Sequence, residues 1–112
     1  MVHYPPELDP AFGALADPTR RGILELLGRG DASISELAGR FQMTLTGLKK
    51  HVQVLESAGL VSTAKVGRVR VCRLGPRRLE AERAWIRDYE QVLEERLNRL
   101  GDFLERTKGA AS

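Results

Sequence analysis

The middle of the sequence carries side chains whose chemical types suit the reading of a nucleic acid. Over residues 44–58 the apolar residues Leu45, Leu48, Val52 and Leu55 recur at intervals of three and four, which predicts an amphipathic helix with one stripe in a core. At about 100° per residue, the opposite face carries Thr46, Lys50 and Gln53. Lys binds phosphate or guanine, Gln pairs with adenine and Thr contacts the methyl group of thymine, so this face has the chemistry needed to read a DNA groove.

Positive charge is concentrated around this predicted helix. The 112-residue chain has a net charge of +3, but residues 44–78 contain eight Lys or Arg against one acidic residue, a net +7. An anionic partner is therefore expected to bind the middle third of the chain. An anionic membrane surface fits less well, because the segment lacks an amphipathic helix with a broad aromatic face.

A basic β-hairpin is predicted directly after the helix. Residues 60–66 and 69–74 are rich in β-forming residues, and Gly67-Arg68 between them suits a tight turn. Lys65, Arg68 and Arg70 lie around the tip. A two-stranded ribbon with cations at its tip is expected to contact phosphates as a wing.

Shorter helices are predicted before the amphipathic one, over 10–16, 18–27 and 34–41. The residues expected to cap helix starts are Asp17 (followed by Pro18), Ser33 (in a capping box with Glu36) and Thr44. Gly59 is expected in the left-handed conformation that ends the amphipathic helix. These elements must hold the polar face and the hairpin in place.

A long helix is predicted at the C-terminal end, over 77–106. Its apolar stripe consists of Trp85, Tyr89, Leu93, Leu97, Leu100 and Leu104. At about 1.5 Å per residue this stripe is longer than so small a domain covers by itself. The helix either packs across its own domain or forms a helix–helix dimer seam, and its length favours the seam.

Composition excludes several other classes of protein. A single cysteine forms no internal disulfide, and no apolar run approaches the about 20 residues that span a bilayer. Residues 1–10 have no apolar core typical of a signal peptide, so a cytoplasmic protein is expected. No nucleophile elbow or phosphate-cradling glycine loop is present in the sequence, and an enzyme is not expected.

Two helices, a short turn, a third helix and a basic hairpin make a winged helix-turn-helix, mainly α with a small β-hairpin. The stretches FGALADPTRRGILELL, ISELAGRF, LKKHVQVLESAGLV and VGRVRVCRLGP resemble the ArsR/SmtB family of bacterial transcriptional repressors, over about residues 10–75. The resemblance implies a homodimer joined mainly through the first and last helices. It also implies binding to an inverted-repeat operator in double-stranded DNA, near the promoter of the protein's own gene.

The resemblance assigns roles to individual residues and divides the chain into four parts. The expected DNA-binding residues are Thr44, Thr46, Gly47, Lys49, Lys50, His51, Gln53, Lys65, Arg68 and Arg70. The expected dimer-interface residues are Phe12, Leu15, Trp85, Tyr89, Leu93, Leu97, Leu100 and Leu104. The parts are an N-terminal arm (1–9), the winged helix-turn-helix DNA-binding domain (10–75), a dimerisation helix (76–106) and a flexible tail (107–112).

The metal-binding positions known in this family lack ligands here. The Cys-x-Cys positions correspond to Ser33 and Ser35, and the last helix contains no histidine. Neither a metal nor another cofactor is therefore expected, and the sequence identifies no effector. The family's Ser-x-His-Leu reads Lys49-Lys50-His51-Val52, so the histidine is kept while a lysine adds phosphate affinity.

Some assignments remain open from sequence alone. His51 lies at the edge of the apolar stripe and has either a structural or a phosphate-binding role. Cys72 is more typical of a half-buried strand residue than of a redox switch. Arg20 and Arg21 either contact phosphate or pair with acidic residues. A rival function of a different class is a protein-interaction module that works through the long helix and binds DNA only non-specifically.

Overall fold

The computed structural model of the protein describes residues 8–110. Its helices are α1 (Leu8–Leu15), α2 (Pro18–Leu27), α3 (Ile34–Arg40), α4 (Leu45–Ser57) and α5 (Glu80–Ala110), and its strands are β1 (Ala32–Ser33), β2 (Val61–Val66) and β3 (Val69–Leu74). The chain divides into two compact units, one up to Leu79 and one from Glu80 onwards. The first unit is mostly helical with a small antiparallel sheet, which confirms the predicted winged helix-turn-helix.

The predicted capping residues start their helices as expected. Asp17 Oδ2 accepts the backbone N–H of Arg20 at 3.1 Å, and Thr44 Oγ1 accepts that of Gly47 at 3.1 Å. At the start of α3, Ser33 Oγ accepts the Glu36 N–H at 3.0 Å. In return the Glu36 carboxylate accepts the Ser33 N–H at 3.2 Å, which completes the capping box.

The core of the first unit lies where α2, α3 and α4 meet the sheet. Ile23, Leu37, Leu48 and Leu55 are fully buried in it, together with Cys72 of β3. Full burial of a Leu or Ile side chain contributes about 1.5–3 kcal/mol, against about 1 kcal/mol for a helix cap. The buried cluster is therefore the main determinant of how α4 is held.

Leu45 does not belong to this core, and its predicted burial in the apolar stripe is wrong. Leu48, Val52 and Leu55 of the stripe are buried, whereas Leu45 is 48% exposed. Leu45 is the first residue of α4, and the first turn of the helix extends past the edge of the core. Its side chain instead forms part of the wall of a groove beside the hairpin.

The sheet has the strand order β1-β3-β2, with both pairs antiparallel. In the hairpin Val66 pairs with Val69, which leaves Gly67-Arg68 as the two-residue turn that the sequence predicted. Gly67 has φ +64°, as a turn with a left-handed first position requires. Strand β1 was not predicted, since two residues are too short to show a strand pattern.

The turns that follow α3 and α4 share one geometry. After α4, Gly59 has φ +78° and donates its N–H to the Glu56 carbonyl at 2.9 Å, and the N–H of Leu60 donates to the Leu55 carbonyl at 3.0 Å, in the pattern of a Schellman motif. After α3 the equivalent left-handed position is held by Gln42, with φ +53°. The Gly59 prediction is confirmed, whereas the left-handed Gln42 gave no signal in the sequence.

Helix α5 is shifted relative to the predicted 77–106. It begins at Glu80, because acidic Glu80 and Glu82 suit the positive end of a helix dipole better than Arg77 and Arg78 do. It continues to Ala110, so residues 107–110 of the predicted flexible tail are helical, and residues 111–112 lie outside the described residues. Within the described part of the chain, no helix is long and apolar enough to cross a membrane.

The predicted N-terminal arm, residues 1–9, falls mostly outside the described residues. Leu8 and Asp9, its last two residues, form the first turn of α1, which therefore begins before the predicted position 10. The helix ends at Leu15.

Candidate nucleic-acid interface

The outward face of α4 carries the polar side chains predicted to read DNA. Thr46, Lys49, Lys50 and Gln53 are all exposed, while the apolar side of the same helix is buried in the core. The buried side of α4 therefore sets the orientation of this face, which is exposed to solvent.

Two of the predicted DNA-binding residues have structural roles at the start of α4. The hydroxyl of Thr44 caps the helix by accepting the Gly47 N–H at 3.1 Å. A Cβ at Gly47 would lie 3.1 Å from that hydroxyl oxygen and 3.4 Å from Met43 Cε, so the absence of a side chain keeps the cap uncrowded. Whether either residue also contacts DNA stays a prediction.

A groove of about 310 Å³ lies between α4 and the hairpin. Four cationic side chains line it: Lys49 from α4, and Lys65, Arg68 and Arg70 from the hairpin. The remaining lining residues include Ser33, Ser35 and Leu45 but no Asp or Glu. A concave surface with one sign of charge concentrates the potential that attracts an anion. The structure thus brings together cations that the sequence placed on two separate elements.

Arg70 is connected to α4 through a side chain of the neighbouring strand β2. Its Nη1 donates to Thr63 Oγ1 at 3.1 Å, and the Thr63 hydroxyl in turn donates to Glu56 Oε2 at 2.8 Å. Lys65 is the cross-strand partner of Arg70. Like charges in directly opposite positions destabilise a sheet, so an anion bound beside this pair would relieve their repulsion.

His51 takes part in a network that joins three helices. Its Nδ1 lies 3.2 Å from Nη1 of Arg20, at the start of α2. The same guanidinium donates to the last carbonyls of α1, from Nε to Ala14 at 2.9 Å and from Nη2 to Gly13 at 3.0 Å. The Arg20 side chain therefore bonds to the end of α1 and to His51, and a phosphate contact by Arg20 stays a prediction.

Asp17 completes the polar surroundings of His51. Its Oδ2 lies 3.9 Å from His51 Nδ1. The hydrogen bond from the backbone N–H of Arg20 foremost, with the Arg20 charge, lowers the pKa of the Asp17 carboxyl, while burial opposes them. Arg21 also binds a helix end, donating from Nη1 to the Leu15 carbonyl at 2.7 Å. Sequence spacing alone did not reveal that both arginines bind carbonyls at the end of the preceding helix.

Cys72 is buried in the sheet, and among the described residues it is not part of a metal-binding group. Burial foremost, and the nearby Glu56 carboxylate, raise the pKa of its thiol, while Arg70 opposes them. Among residues 8–110, no group of three or more His, Cys, Asp or Glu side chains is arranged to hold a metal ion. Ser33, at one of the positions compared with metal-binding cysteines, is buried and serves as a helix cap.

The residues predicted to form a dimer interface lie on α1 and α5. Phe12 and Leu15 of α1 are half-buried. The six predicted residues of α5 are 39–57% exposed: Trp85, Tyr89, Leu93, Leu97, Leu100 and Leu104. The rings of Trp85 and Tyr89 stack, with centroids 5.7 Å apart and an interplanar angle of 3°. The apolar stripe is thus exposed along α5, and its role in a dimer stays a prediction.

A family model and several known proteins are similar to this chain. A family model described as a helix-turn-helix domain matches residues 15–64. The HTH-type transcriptional regulator Rv2034 of Mycobacterium tuberculosis is 36% identical over 94 residues, which cover 77% of this chain and 88% of that protein. The crystal structure of the ArsR family transcriptional regulator RHA00566 is 44% identical, with a TM-score of 0.73, and the match covers 84% of this chain and 97% of that one.

Two further similar proteins are a repressor and a dimer. The transcriptional repressor SdpR of Bacillus subtilis is 36% identical over 56 residues, which cover 50% of this chain and 62% of that protein. The solution structure of the homodimeric winged helix-turn-helix DNA-binding domain Mb0332 from Mycobacterium bovis is 27% identical, with a TM-score of 0.60, and the match covers 83% of each chain. Together with the fold and the cationic groove, these matches show that the chain belongs to the ArsR family of winged helix-turn-helix transcriptional regulators.

Proposed function

We propose that the protein is a sequence-specific transcriptional repressor that binds an inverted-repeat operator as a homodimer. The observation that carries this proposal is the exposed face of Thr46, Lys50 and Gln53 beside the groove lined by four cations. Specific DNA recognition needs side chains that contact bases and, beside them, charged side chains that bind phosphates.

The two groups of side chains have different roles in this proposal. Thr46, Lys50 and Gln53 contact base edges in the major groove. Lys49 and the hairpin cations Lys65, Arg68 and Arg70 bind phosphates, and Thr44, Gly47 and His51 approach the backbone beside them. The phosphate contacts set the register in which the base contacts operate.

The homodimer is proposed from the exposed apolar stripe of α5, which a second copy of the chain would cover. The relative Mb0332 is described as homodimeric, which supports the proposal. Two-fold symmetry would set the recognition helices about 34 Å apart, on half-sites separated by about 10–10.5 base pairs or a multiple of that spacing. Phe12 and Leu15 of α1 are further residues proposed for contact with the second copy.

Repression, autoregulation and the absence of a cofactor are part of the same proposal. SdpR is named a transcriptional repressor, and occupation of an operator near a promoter blocks transcription directly. The chain would regulate its own gene and act in the cytoplasm. It would work without a metal and catalyse no reaction.

Fluorescence anisotropy with two DNA duplexes tests the proposal. One duplex is the intergenic DNA upstream of the protein's own gene, and the other is a scrambled duplex of equal length. At near-physiological salt we expect binding to the native duplex to be tighter by about 10³-fold or more. Weak and equal binding to both would refute operator recognition at this promoter and favour the protein-interaction module.

The salt dependence of the same binding provides a second, independent measurement. Each phosphate neutralised by Lys or Arg contributes about −0.9 to the slope of log K against log salt. Four cations around the groove on each protomer therefore predict a steep slope. A flat salt dependence would contradict phosphate binding by this groove.

A further inference from the structure

The contact between Arg20 and His51 fixes where the imidazole carries its proton. A guanidinium has only N–H donors and cannot accept a hydrogen bond. At a separation of 3.2 Å, Nη1 of Arg20 must therefore donate and Nδ1 of His51 must accept. A neutral imidazole that accepts at Nδ1 carries its proton on Nε2.

The alternative protonation states fit the surroundings less well. A proton on Nδ1 would point an N–H at the N–H groups of Arg20. The Asp17 oxygen lies 3.9 Å from Nδ1, too far for a hydrogen bond that would compensate. Arg20 donates hydrogen bonds to the Gly13 and Ala14 carbonyls, and these bonds hold its guanidinium beside His51.

The other ring nitrogen of His51 is available to a partner. Among the described residues, Nε2 has no hydrogen-bond partner, and it is not among the buried side-chain nitrogens that lack one. It belongs to a half-buried residue that directly follows exposed Lys50 on the recognition helix. A single N–H donor therefore reaches solvent at the flank of the base-reading face.

We propose that Arg20 holds His51 as the neutral tautomer protonated on Nε2, and that this N–H donates a hydrogen bond to a phosphate of the operator backbone. Arg20 is then a positioning residue, and His51 is the residue that contacts DNA. The phosphate contact rests on the proposed function, whereas the tautomer is a property of the free protein. The same arginine ties the end of α1 to the recognition helix.

NMR of the free, ¹⁵N-labelled protein tests the tautomer without any DNA. Two- and three-bond ¹H–¹⁵N correlations distinguish the two ring nitrogens, and a His3→Gln variant assigns the remaining signals to His51. Well above the ordinary histidine pKa of about 6.5, we expect Nε2 to be protonated and Nδ1 to be an acceptor. A proton on Nδ1 would overturn the proposal. Arg20→Gln should shift the His51 signals towards a tautomer mixture.

Two matched variants test the phosphate contact. In His51→Asn the amide oxygen replaces the Nδ1 acceptor for Arg20, but no donor reaches the position of Nε2. In His51→Gln the amide donor reaches towards that position, but the Nδ1 acceptor is lost. We expect about a tenfold loss of affinity for His51→Asn, equal on operator and scrambled DNA, and a smaller loss for His51→Gln. Unchanged affinity of His51→Asn, with native circular dichroism, would overturn the contact.

The salt dependence distinguishes a neutral donor from a cation. A neutral imidazole displaces no counterion, so the slope of log K against log salt should be the same for His51→Asn and the unmodified protein. A slope reduced by about 0.9 for each bound protomer would mean that His51 binds as a cation, and would refute the neutral tautomer in the complex. Loss of operator preference in the unmodified protein would instead refute the proposed function and leave the NMR result intact.

Discussion

The hydroxyl of Thr63 donates to Glu56 Oε2 at 2.8 Å and so joins strand β2 to the recognition helix. The hydroxyl oxygen of Thr63 also accepts a hydrogen bond from Nη1 of Arg70 at 3.1 Å. Because Arg70 lies on β3 and Glu56 on α4, Thr63 links the hairpin to α4. The relative position of α4 and the hairpin depends on this polar link as well as on the apolar core.

Replacing Thr63 with valine, which has nearly the same shape, should loosen the wing. We expect a loss of about threefold to tenfold in affinity for operator and scrambled DNA alike, since one hydrogen bond contributes about 1 kcal/mol. Fluorescence anisotropy measures the affinities, and urea unfolding measures the small change in stability. Ser62→Ala, at the adjacent position of β2, is the control. Equal DNA affinities for Thr63→Val and Ser62→Ala would show that the link does not matter for binding.

Lys50 and Arg68 should respond differently to truncation. Lys50→Ala should weaken operator binding by about 1–3 kcal/mol and random-DNA binding far less, because it removes a base contact. Arg68→Ala should weaken both alike and reduce the salt slope by about 0.9 for each bound protomer, because it removes one phosphate contact from each. The comparison needs anisotropy titrations on both duplexes at several salt concentrations. Equal losses on both duplexes for Lys50→Ala would remove that residue from base reading.

The features that the sequence predicted well depend on residues close together in the chain. The helix cap at Thr44 and the Gly67-Arg68 turn involve residues within three positions of one another. Such features can be predicted from the residue types at neighbouring positions, because a cap or a tight turn needs a particular side chain at a particular position. The polar face of α4 was predictable for the same reason.

The features that the sequence did not predict depend on contacts across the fold. Arg20 and His51 are separated by 31 residues, and no local pattern relates them. Strand β1 exists because Ala32 and Ser33 pair with β3, which lies far along the chain. Leu45 matched the spacing of the buried stripe, but the core ends before the first turn of α4. Periodicity identifies which face of a helix is apolar, but it does not identify where along the helix the neighbouring elements of the core end.

Leu97→Glu should convert a dimer to a monomer. Leu97 is 57% exposed on α5, so its replacement should leave the helix intact while placing a charge in the proposed apolar interface. We expect sedimentation equilibrium to show a dissociation constant raised by about 100-fold or more, which corresponds to about 2.7 kcal/mol. Glu95→Gln, an exposed change on the same helix, is the control. A monomeric unmodified protein would contradict the proposed homodimer.

The Cys72 thiol should react slowly in the folded protein and make stability depend on alkaline pH. Burial raises the pKa of Cys72 above the ordinary value of 9.0, so the folded state retains the proton longer than the unfolded chain does. Stability is therefore unaffected well below that value and falls as pH rises through and above it. Urea unfolding at several alkaline pH values should show a smaller fall for Cys72→Ala. Rapid native labelling by a disulfide reagent would contradict a buried, inert thiol.

Gln42 and Gly59 occupy equivalent left-handed positions after α3 and α4, with φ of +53° and +78°. This conformation costs a residue with a Cβ about 1–2 kcal/mol, and the exposed Gln42 side chain has no hydrogen bond among the described residues that would offset it. Gln42→Gly should therefore stabilise the protein by about 0.5–1 kcal/mol, since the greater freedom of glycine in the unfolded chain cancels part of the gain.

Gly59→Ala is the matched opposite change. It introduces the same strain and places a Cβ 2.9 Å from Cδ of Arg77, a half-buried side chain that must shift to make room. We expect it to destabilise the protein by about 1–2 kcal/mol. Urea unfolding measures both variants, and DNA affinity should be unchanged for Gln42→Gly because the helices on either side keep their geometry. A destabilising Gln42→Gly would mean that this glutamine makes a favourable interaction that outweighs its backbone strain.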